Sequence, residues 1–250
     1  MRMTKNRNMK AIKFIARDIG ELYKKNNSSD FIAIDVSSYA EFPFCKLSPY
    51  TYSNEFKIPV PGTKNKFSQS VEGIWQGLKV INNTTDESLF ERRPHKRKGN
   101  VQGHLYEDHL LDITQARKRI YFPAYFFYLE NYVPKETIDK ILNQAIKKQT
   151  FVYDVESNGD INSPQPLAHS AVLATYLNLK MMNIRINPST ECERIVFEIF
   201  DSNLDYNEKR KSLVGLNLNP EITFAIEKRG RHYPLSSDDY FLSKLLSGRK

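Results

Sequence analysis

The sequence predicts an α+β protein, mainly helical around a few short strands. Three observations carry that reading. The 250 residues, with 40% hydrophobic and 12% aromatic side chains, suffice for one sizeable core and exclude three domains. Apolar residues recur at helical spacing in several windows, which predicts amphipathic helices. Between them lie short β-branched or aromatic runs in no regular alternation, so the order is mixed rather than a repeating βαβ pattern. We expect a single domain over 1–250, with a motif-bearing core at 31–180 and an extension, 181–250, packed on it.

The elements follow in order. Met9, Ile12, Ile15, Ala16, Ile19 and Leu22 share one helical face, predicting a helix over 9–24 that ends at Asn26-Asn27-Ser28-Ser29. Phe31 to Val36 is a β-branched strand. Between Pro43 and Pro61 the prolines allow only short extended pieces, and Pro61-Gly62 with Thr63-Lys64-Asn65 marks a turn. From Ser70, a suitable N-cap, Val71, Ile74, Trp75, Leu78 and Ile81 form one side of a helix and Glu72, Gln76 and Lys79 another. A basic loop, 91–99, precedes an aromatic helical pattern over 113–130 that should break near Pro123. Ile138, Ile141, Leu142, Ala145 and Ile146 predict a further helix, Thr150 to Val155 a strand, Glu156 to Asp160 a turn, and Ala168 to Leu179 a last core helix. Arg194 to Phe200 and Ile222 to Glu227 read as strands of the extension.

Composition restricts the function. No apolar stretch approaches the ~20 residues of a membrane-spanning helix, and Met1 to Lys10 lacks a signal peptide's apolar segment, so we expect a soluble, cytoplasmic protein with no membrane partner. Cys45 and Cys192 stand far apart, which argues against a disulfide scaffold or a structural zinc site. The net charge of +8 favours phosphorylated metabolites or nucleic acid as partners, although a Lys- and Asn-rich composition also arises from AT-rich coding.

The segment with chemistry is Ser70-Val71-Glu72-Gly73-Ile74-Trp75-Gln76-Gly77-Leu78-Lys79. One helix face there offers a carboxylate for proton transfer, an amide with two-sided hydrogen bonding and a cation, enough to grip a sugar or a phosphate. A solvated ladder on a surface helix would show the same spacing. The segment resembles the signature of the NADAR N-glycosidases, which runs Ser/Thr-Val-Glu-His and continues to Gln and Lys at the spacing of Gln76 and Lys79. Glu41 to Tyr50 is similar to that family's entry segment, Pro59-Val60-Pro61-Gly62 to its hairpin, and Asp154 to Gly159 with Leu167-Ala168-His169-Ser170 to its final turn and closing helix. A set of uncharacterised proteins shares the ten-residue string itself. The likeness spans residues 39–180, with two departures: Gly73 replaces the motif histidine, and the final turn, near Asn158, lacks the family's Trp.

The resemblance implies a NADAR-like fold and metal-free, cofactor-free hydrolysis of an N-glycosidic bond in an ADP-ribosyl or related phosphorylated ribosyl compound. Such a substrate is either a nucleotide-like small molecule or ADP-ribosylated nucleic acid. Glu72 would be catalytic, with Asp154 or Asp160 as the second acid. Gln76 and Lys79, with Arg92, Arg93, Arg97 and Lys98, would bind the substrate. Asn158 belongs to the same set, and Tyr106 or Tyr153 would supply a stacking surface. For Asp154 and Asp160 ordinary turn chemistry is the competing reading. His104 and His109 fit no common metal spacing, and His169 reads as a core or cap residue. The alternative function is a non-catalytic basic module for nucleic acid or a protein partner. It would use 92–98, Arg117-Lys118-Arg119 and Lys228 to Arg231, with Tyr121, Phe122 and Tyr125 stacking on bases.

Overall fold

The computed structural model describes residues 11–26 and 28–181. Ala11 and Ile12 are already buried, and the chain there is extended rather than helical. The N–H and C=O of Ile12 both bond the side chain of Asn178, at 2.9 Å each, so this stretch is fastened across the core before any helix begins. The predicted first helix is thereby shortened to α1 (Arg17–Asn26), preceded by the short strand β1 (Lys13–Phe14).

β2 (Phe31–Asp35) matches its prediction, and β3 (Ile58–Pro59) with β4 (Phe67–Ser68) forms a small antiparallel pair around the Pro61-Gly62 turn. α2 (Val71–Leu78) runs directly into β5 (Lys79–Ile81). Lys79 is therefore the C-cap with extended backbone, and Ile81 belongs to a strand, not to the motif helix as its spacing suggested. β6 (Val101–Tyr106) and β7 (His109–Leu111) complete an antiparallel sheet ordered β5-β6-β7, which the sequence reading did not foresee.

From Ile113 to Asn131 the backbone stays helical through α3 (Ile113–Ala116), one wider π turn at Arg117–Tyr121 and α4 (Phe122–Asn131). Pro123 thus begins α4 instead of breaking a helix; the irregularity that accommodates its missing N–H lies just upstream. α5 (Lys135–Lys147), β8 (Gln149–Tyr153) and α6 (His169–Met181) follow as predicted within a few residues. β8 lies between β1 and β2, and all three strands are parallel. The molecule mixes helices and strands as an α+β protein. The predicted strands at 194–200 and 222–227, and the whole extension 181–250 beyond Met181, lie outside the described residues.

The core joins these layers. Val71, Ile74 and Leu78 of α2 meet Ile120, Ala124 and Tyr125 of the π turn and α4, and Ala171 to Leu177 of α6 close the other side. The α4 tyrosines reach across it: the Tyr125 hydroxyl donates to the Leu47 carbonyl and the Tyr128 hydroxyl to that of Lys46. These aromatics are interior residues, so Tyr121 and Tyr125 do not form the exposed base-stacking surface that the nucleic-acid alternative assumed.

Candidate functional site around Glu72

Ser70 caps α2, its Oγ accepting from the Gly73 N–H at 3.0 Å, and the Pro49 carbonyl accepts from the Glu72 N–H at 3.0 Å. The second bond docks the Ser48–Tyr50 turn on the helix N-terminus and carries the Tyr50 side chain to Glu72. A third side of α2 is closed by the 3-10 turn Glu87–Glu91. A Cβ at Gly73 would lie 2.5 Å from the Leu89 carbonyl oxygen, and one at Gly77 2.4 Å from the Phe90 ring. Glycine is what permits that approach, and the helix is enclosed rather than solvated.

Glu72 is consequently a buried carboxylate, 6% exposed, and Gln76 beside it is 3% exposed. The Tyr50 hydroxyl donates to Glu72 Oε1 at 3.1 Å and Gln76 Nε2 to the same oxygen at 2.7 Å. Lys79 Nζ donates to Gln76 Oε1 at 2.7 Å, so the three motif residues form one hydrogen-bonded chain that ends on Tyr50. Oε2 of Glu72 takes no hydrogen bond among the described residues, and it is not one of the sealed, unpartnered polar atoms. That oxygen keeps an opening.

Electrostatics follow from this enclosure. Burial raises the Glu72 pKa above its ordinary value of 4.5, against the bonds from Gln76 and Tyr50 and the charge of Lys79. Burial lowers that of Lys79, with Glu72 resisting, and burial together with Glu72 raises that of Tyr50. The region also holds Trp75, whose ring lies 3.8 Å from His104 and 5.5 Å edge-on from Tyr121. His104 is buried and neutral, its pKa pushed down to about 3 by burial and then by Lys79 and Arg117.

The other predicted residues take varied positions. Asp154 is buried in an ion pair with His169 Nδ1 at 2.9 Å, and its carboxylate also accepts from the N–H groups of Ser170 and Glu156 at 2.7 and 2.6 Å. His169 Nε2 meets the Val36 carbonyl at 2.9 Å. Since a carbonyl and an ionised carboxylate only accept, both ring nitrogens must carry hydrogen, and the residue is an imidazolium. Burial raises the Asp154 pKa, but His169 and the two backbone donors outweigh it and hold the carboxyl below its usual range. For His169, burial is likewise overcome by Asp154, and the pKa is raised. Asp154 and His169 therefore join α6 to the end of β8 and to the chain after β2.

Asp160 and Asn158 lie in the 158–167 loop. Asp160 Oδ1 accepts from the Asn162 N–H at 2.8 Å, and Asn158 bonds the carbonyls of Asp160 and Gln165 at 3.2 and 3.1 Å. Buried Arg117 grips the same loop through four carbonyls: Asp160 at 3.2 Å, and Ile161, Ser163 and Gln165 at 2.6 Å each. Tyr106 is buried, with the Arg119 guanidinium 6.0 Å from its ring centre, and Tyr153 is buried in the core. Arg92, Arg93 and Lys98 are exposed. Arg97 is instead an anchor: its N–H bonds Gln76 Oε1 at 3.0 Å, and its guanidinium donates to the carbonyls of Gln76, Lys79 and Thr84. The basic loop is thereby fastened to α2, and Lys96 crosses to Glu156 at 3.1 Å.

Sequence reasoning missed Tyr50, Tyr121 and Arg117 as parts of this region. The one available signal was Tyr50, which follows Ser48-Pro49 within a segment already singled out. Among the described residues no three His, Cys, Asp or Glu side chains come together as a metal site, and no helix is long and apolar enough to cross a membrane.

No curated protein and no solved structure matches the chain. Residues 5–173, a stretch that contains β1 to β8 and every side chain of the Glu72 site, match the model of the Family of unknown function (DUF6939), and the chain belongs to that family.

Proposed function

We propose that the Glu72 site hydrolyses an N-glycosidic bond in an ADP-ribosyl or related phosphorylated ribosyl compound. The observation that carries this reading is the Glu72 carboxylate, buried, held on Oε1 by Tyr50 and Gln76 and open at Oε2. The similarity of the α2 motif to the NADAR N-glycosidases supports the substrate class, including the order and spacing of Glu72, Gln76 and Lys79. The histidine of that signature has no room in this chain, because the Leu89 backbone fills the space beside Gly73. Any chemistry here proceeds without it.

In the proposed step the bond from the anomeric carbon to the base nitrogen breaks, and its electron pair leaves with the base. Water bonds to the anomeric carbon and gives its proton to Glu72 Oε2; the departing nitrogen is protonated from solvent or from the site. A raised pKa makes Glu72 a stronger base than an ordinary carboxylate, and its charge steadies the oxocarbenium-like transition state. Lys79 brings a cation for phosphate oxygens, and exposed Arg92, Arg93 and Lys98 stand on the loop fastened to Gln76, where a nucleic-acid-linked substrate would extend.

The test is turnover of NAD, ADP-ribosylated nucleic acid and ribosylated pyrimidine intermediates by the wild type and by Glu72→Gln. Release of free base by the wild type alone is expected. Equal turnover by both proteins refutes the role of Glu72. No turnover, with DNA or RNA retained in a strongly salt-dependent manner, favours the binding-module alternative, which the exposed arginines support.

A further inference from the structure

Of the tyrosines around α4, Tyr121 is the one whose hydroxyl has nothing to do within the fold. The Tyr125 and Tyr128 hydroxyls each donate to a carbonyl, whereas the Tyr121 hydroxyl has no hydrogen bond among the described residues. Tyr121 is nevertheless only 7% exposed. A buried hydroxyl without a partner is uncommon, because its desolvation goes uncompensated. Its oxygen also differs from that of Tyr153, which is both unpartnered and sealed: Tyr121 Oη is not among the sealed atoms, so it borders a space that solvent reaches.

Two observations bring Tyr121 into the neighbourhood of Glu72. The Tyr121 ring lies edge-on against Trp75, three residues along α2 from Glu72, with centroids 5.5 Å apart. Of the charges acting on the phenol, that of Glu72 is the strongest, followed by Asp154 and Tyr50. Tyr121 also ends the π turn that precedes Pro123, a kind of irregularity found frequently at functional sites.

We propose that Tyr121 is a ligand-binding residue of the Glu72 site, its phenol donating a hydrogen bond to an acceptor on the molecule that Glu72 Oε2 holds. This rests on the reading of Glu72 as the centre of the site. The pair requires a ligand with a donor for the carboxylate beside an acceptor for the phenol. Neighbouring hydroxyls of a sugar satisfy both, one donating and one accepting. Burial, and after it the negative charge of Glu72 and Asp154, raises the phenol pKa and keeps it protonated, so Tyr121 acts as a donor. Phenylalanine would keep the ring packing and remove only this bond.

Trp75, the chain's only tryptophan, touches Tyr121 and reports on the site by fluorescence. The experiment titrates ADP-ribose, and separately D-ribose 5-phosphate, into the full-length wild type, Tyr121→Phe and Glu72→Gln, and records each melting temperature. The expected result is an unchanged or higher melting temperature for Y121F, since the fold makes no use of the hydroxyl, with a Kd several-fold to about tenfold weaker. Wild-type affinity in Y121F, alongside weakened binding in E72Q, overturns the role of Tyr121 and leaves the Glu72 reading standing. A clear fall in the Y121F melting temperature also overturns it, by showing the hydroxyl bonded within the protein. Binding weakened in Y121F, with no turnover by the wild type, supports Tyr121 and refutes hydrolysis. No Trp75 response to either probe overturns both.

Discussion

Replacing Glu72 by glutamine should make the protein more stable at neutral pH while abolishing the proposed hydrolysis. The wild-type carboxylate is almost fully buried, yet the bonds it receives come from two neutral donors, Tyr50 and Gln76. Burial outweighs these bonds and the Lys79 charge, so the folded pKa lies above 4.5 and ionisation opposes folding. Each unit of such a shift corresponds to about 1.4 kcal/mol. A glutamine amide has the same shape, its oxygen accepts from both donors, and its NH2 takes the open Oε2 side. The exchange should therefore stabilise by about 1 kcal/mol, which for a chain of this size is roughly 2–4 °C in Tm. The sign is fixed by linkage. A group with a raised carboxyl pKa penalises the fold above that pKa, and the penalty disappears below the unfolded value, 4.5. Urea unfolding of both proteins at pH 7.5 and pH 4 measures the difference, since other titrations are common to the two and cancel. A Glu72→Gln protein less stable than wild type at pH 7.5, or a gap of the same size at both pH values, would refute the argument that this carboxylate is held at a cost.

The remaining predictions concern the groups around it. In Tyr50→Phe the Glu72 carboxylate loses a bond that favours its charged form, so the acidic limb of the pH–activity profile should move to higher pH; an unmoved limb, read from kcat/KM, would detach Tyr50 from Glu72. Arg117→Met leaves four loop carbonyls without their donor and should lower stability by at least about 3 kcal/mol, measured by urea unfolding. The Asp154–His169 pair predicts a pH window. The raised His169 pKa contributes stability fully below 6.5 and loses it as pH rises through the folded value; the lowered Asp154 pKa contributes above 3.8 and loses it as pH falls through its folded value. The stability lost in His169→Gln should thus be greatest between these limits and shrink toward alkaline pH, and a loss independent of pH would contradict the imidazolium. Gly73→Ala forces a Cβ against the Leu89 carbonyl and should cost about 2 kcal/mol or more, seen as a lower Tm.

Local chemistry was legible in the sequence wherever one element decided it. Ser70 reads as an N-cap because its side chain and the Gly73 N–H lie within one turn, and the helical spacing of Glu72, Gln76 and Lys79 suffices to predict their mutual contacts, even though the last of them is already in extended backbone. What could not be read depends on distant partners. Nothing local shows that Asn178 holds Ile12 extended, which is why a helical pattern over 9–24 yields a helix only from Arg17. The parallel arrangement of β1 and β2 on either side of β8 joins segments more than a hundred residues apart, and such pairing leaves no trace in periodicity. The burial of Glu72 was hidden for a related reason. Gly73 and Gly77 look permissive in a sequence, and only the Glu87–Glu91 turn packed on them explains why both are glycine.

Glu72 and Asp154 are both buried carboxylates, and their surroundings drive them in opposite directions. Asp154 receives an imidazolium and two backbone N–H groups, which favour its ionised form and hold its pKa below the usual range. A proton donor or acceptor must change its protonation state, and a carboxylate tied at this many points by donors does so least readily. Glu72 has only neutral donors, both on one oxygen, and its nearest cation, Lys79, reaches it through Gln76. Opposed environments of this kind are how one protein assigns different roles to similar side chains. Asp154 therefore holds the base of α6 in place, and it is Glu72 whose surroundings suit the proton exchange that the proposed hydrolysis requires.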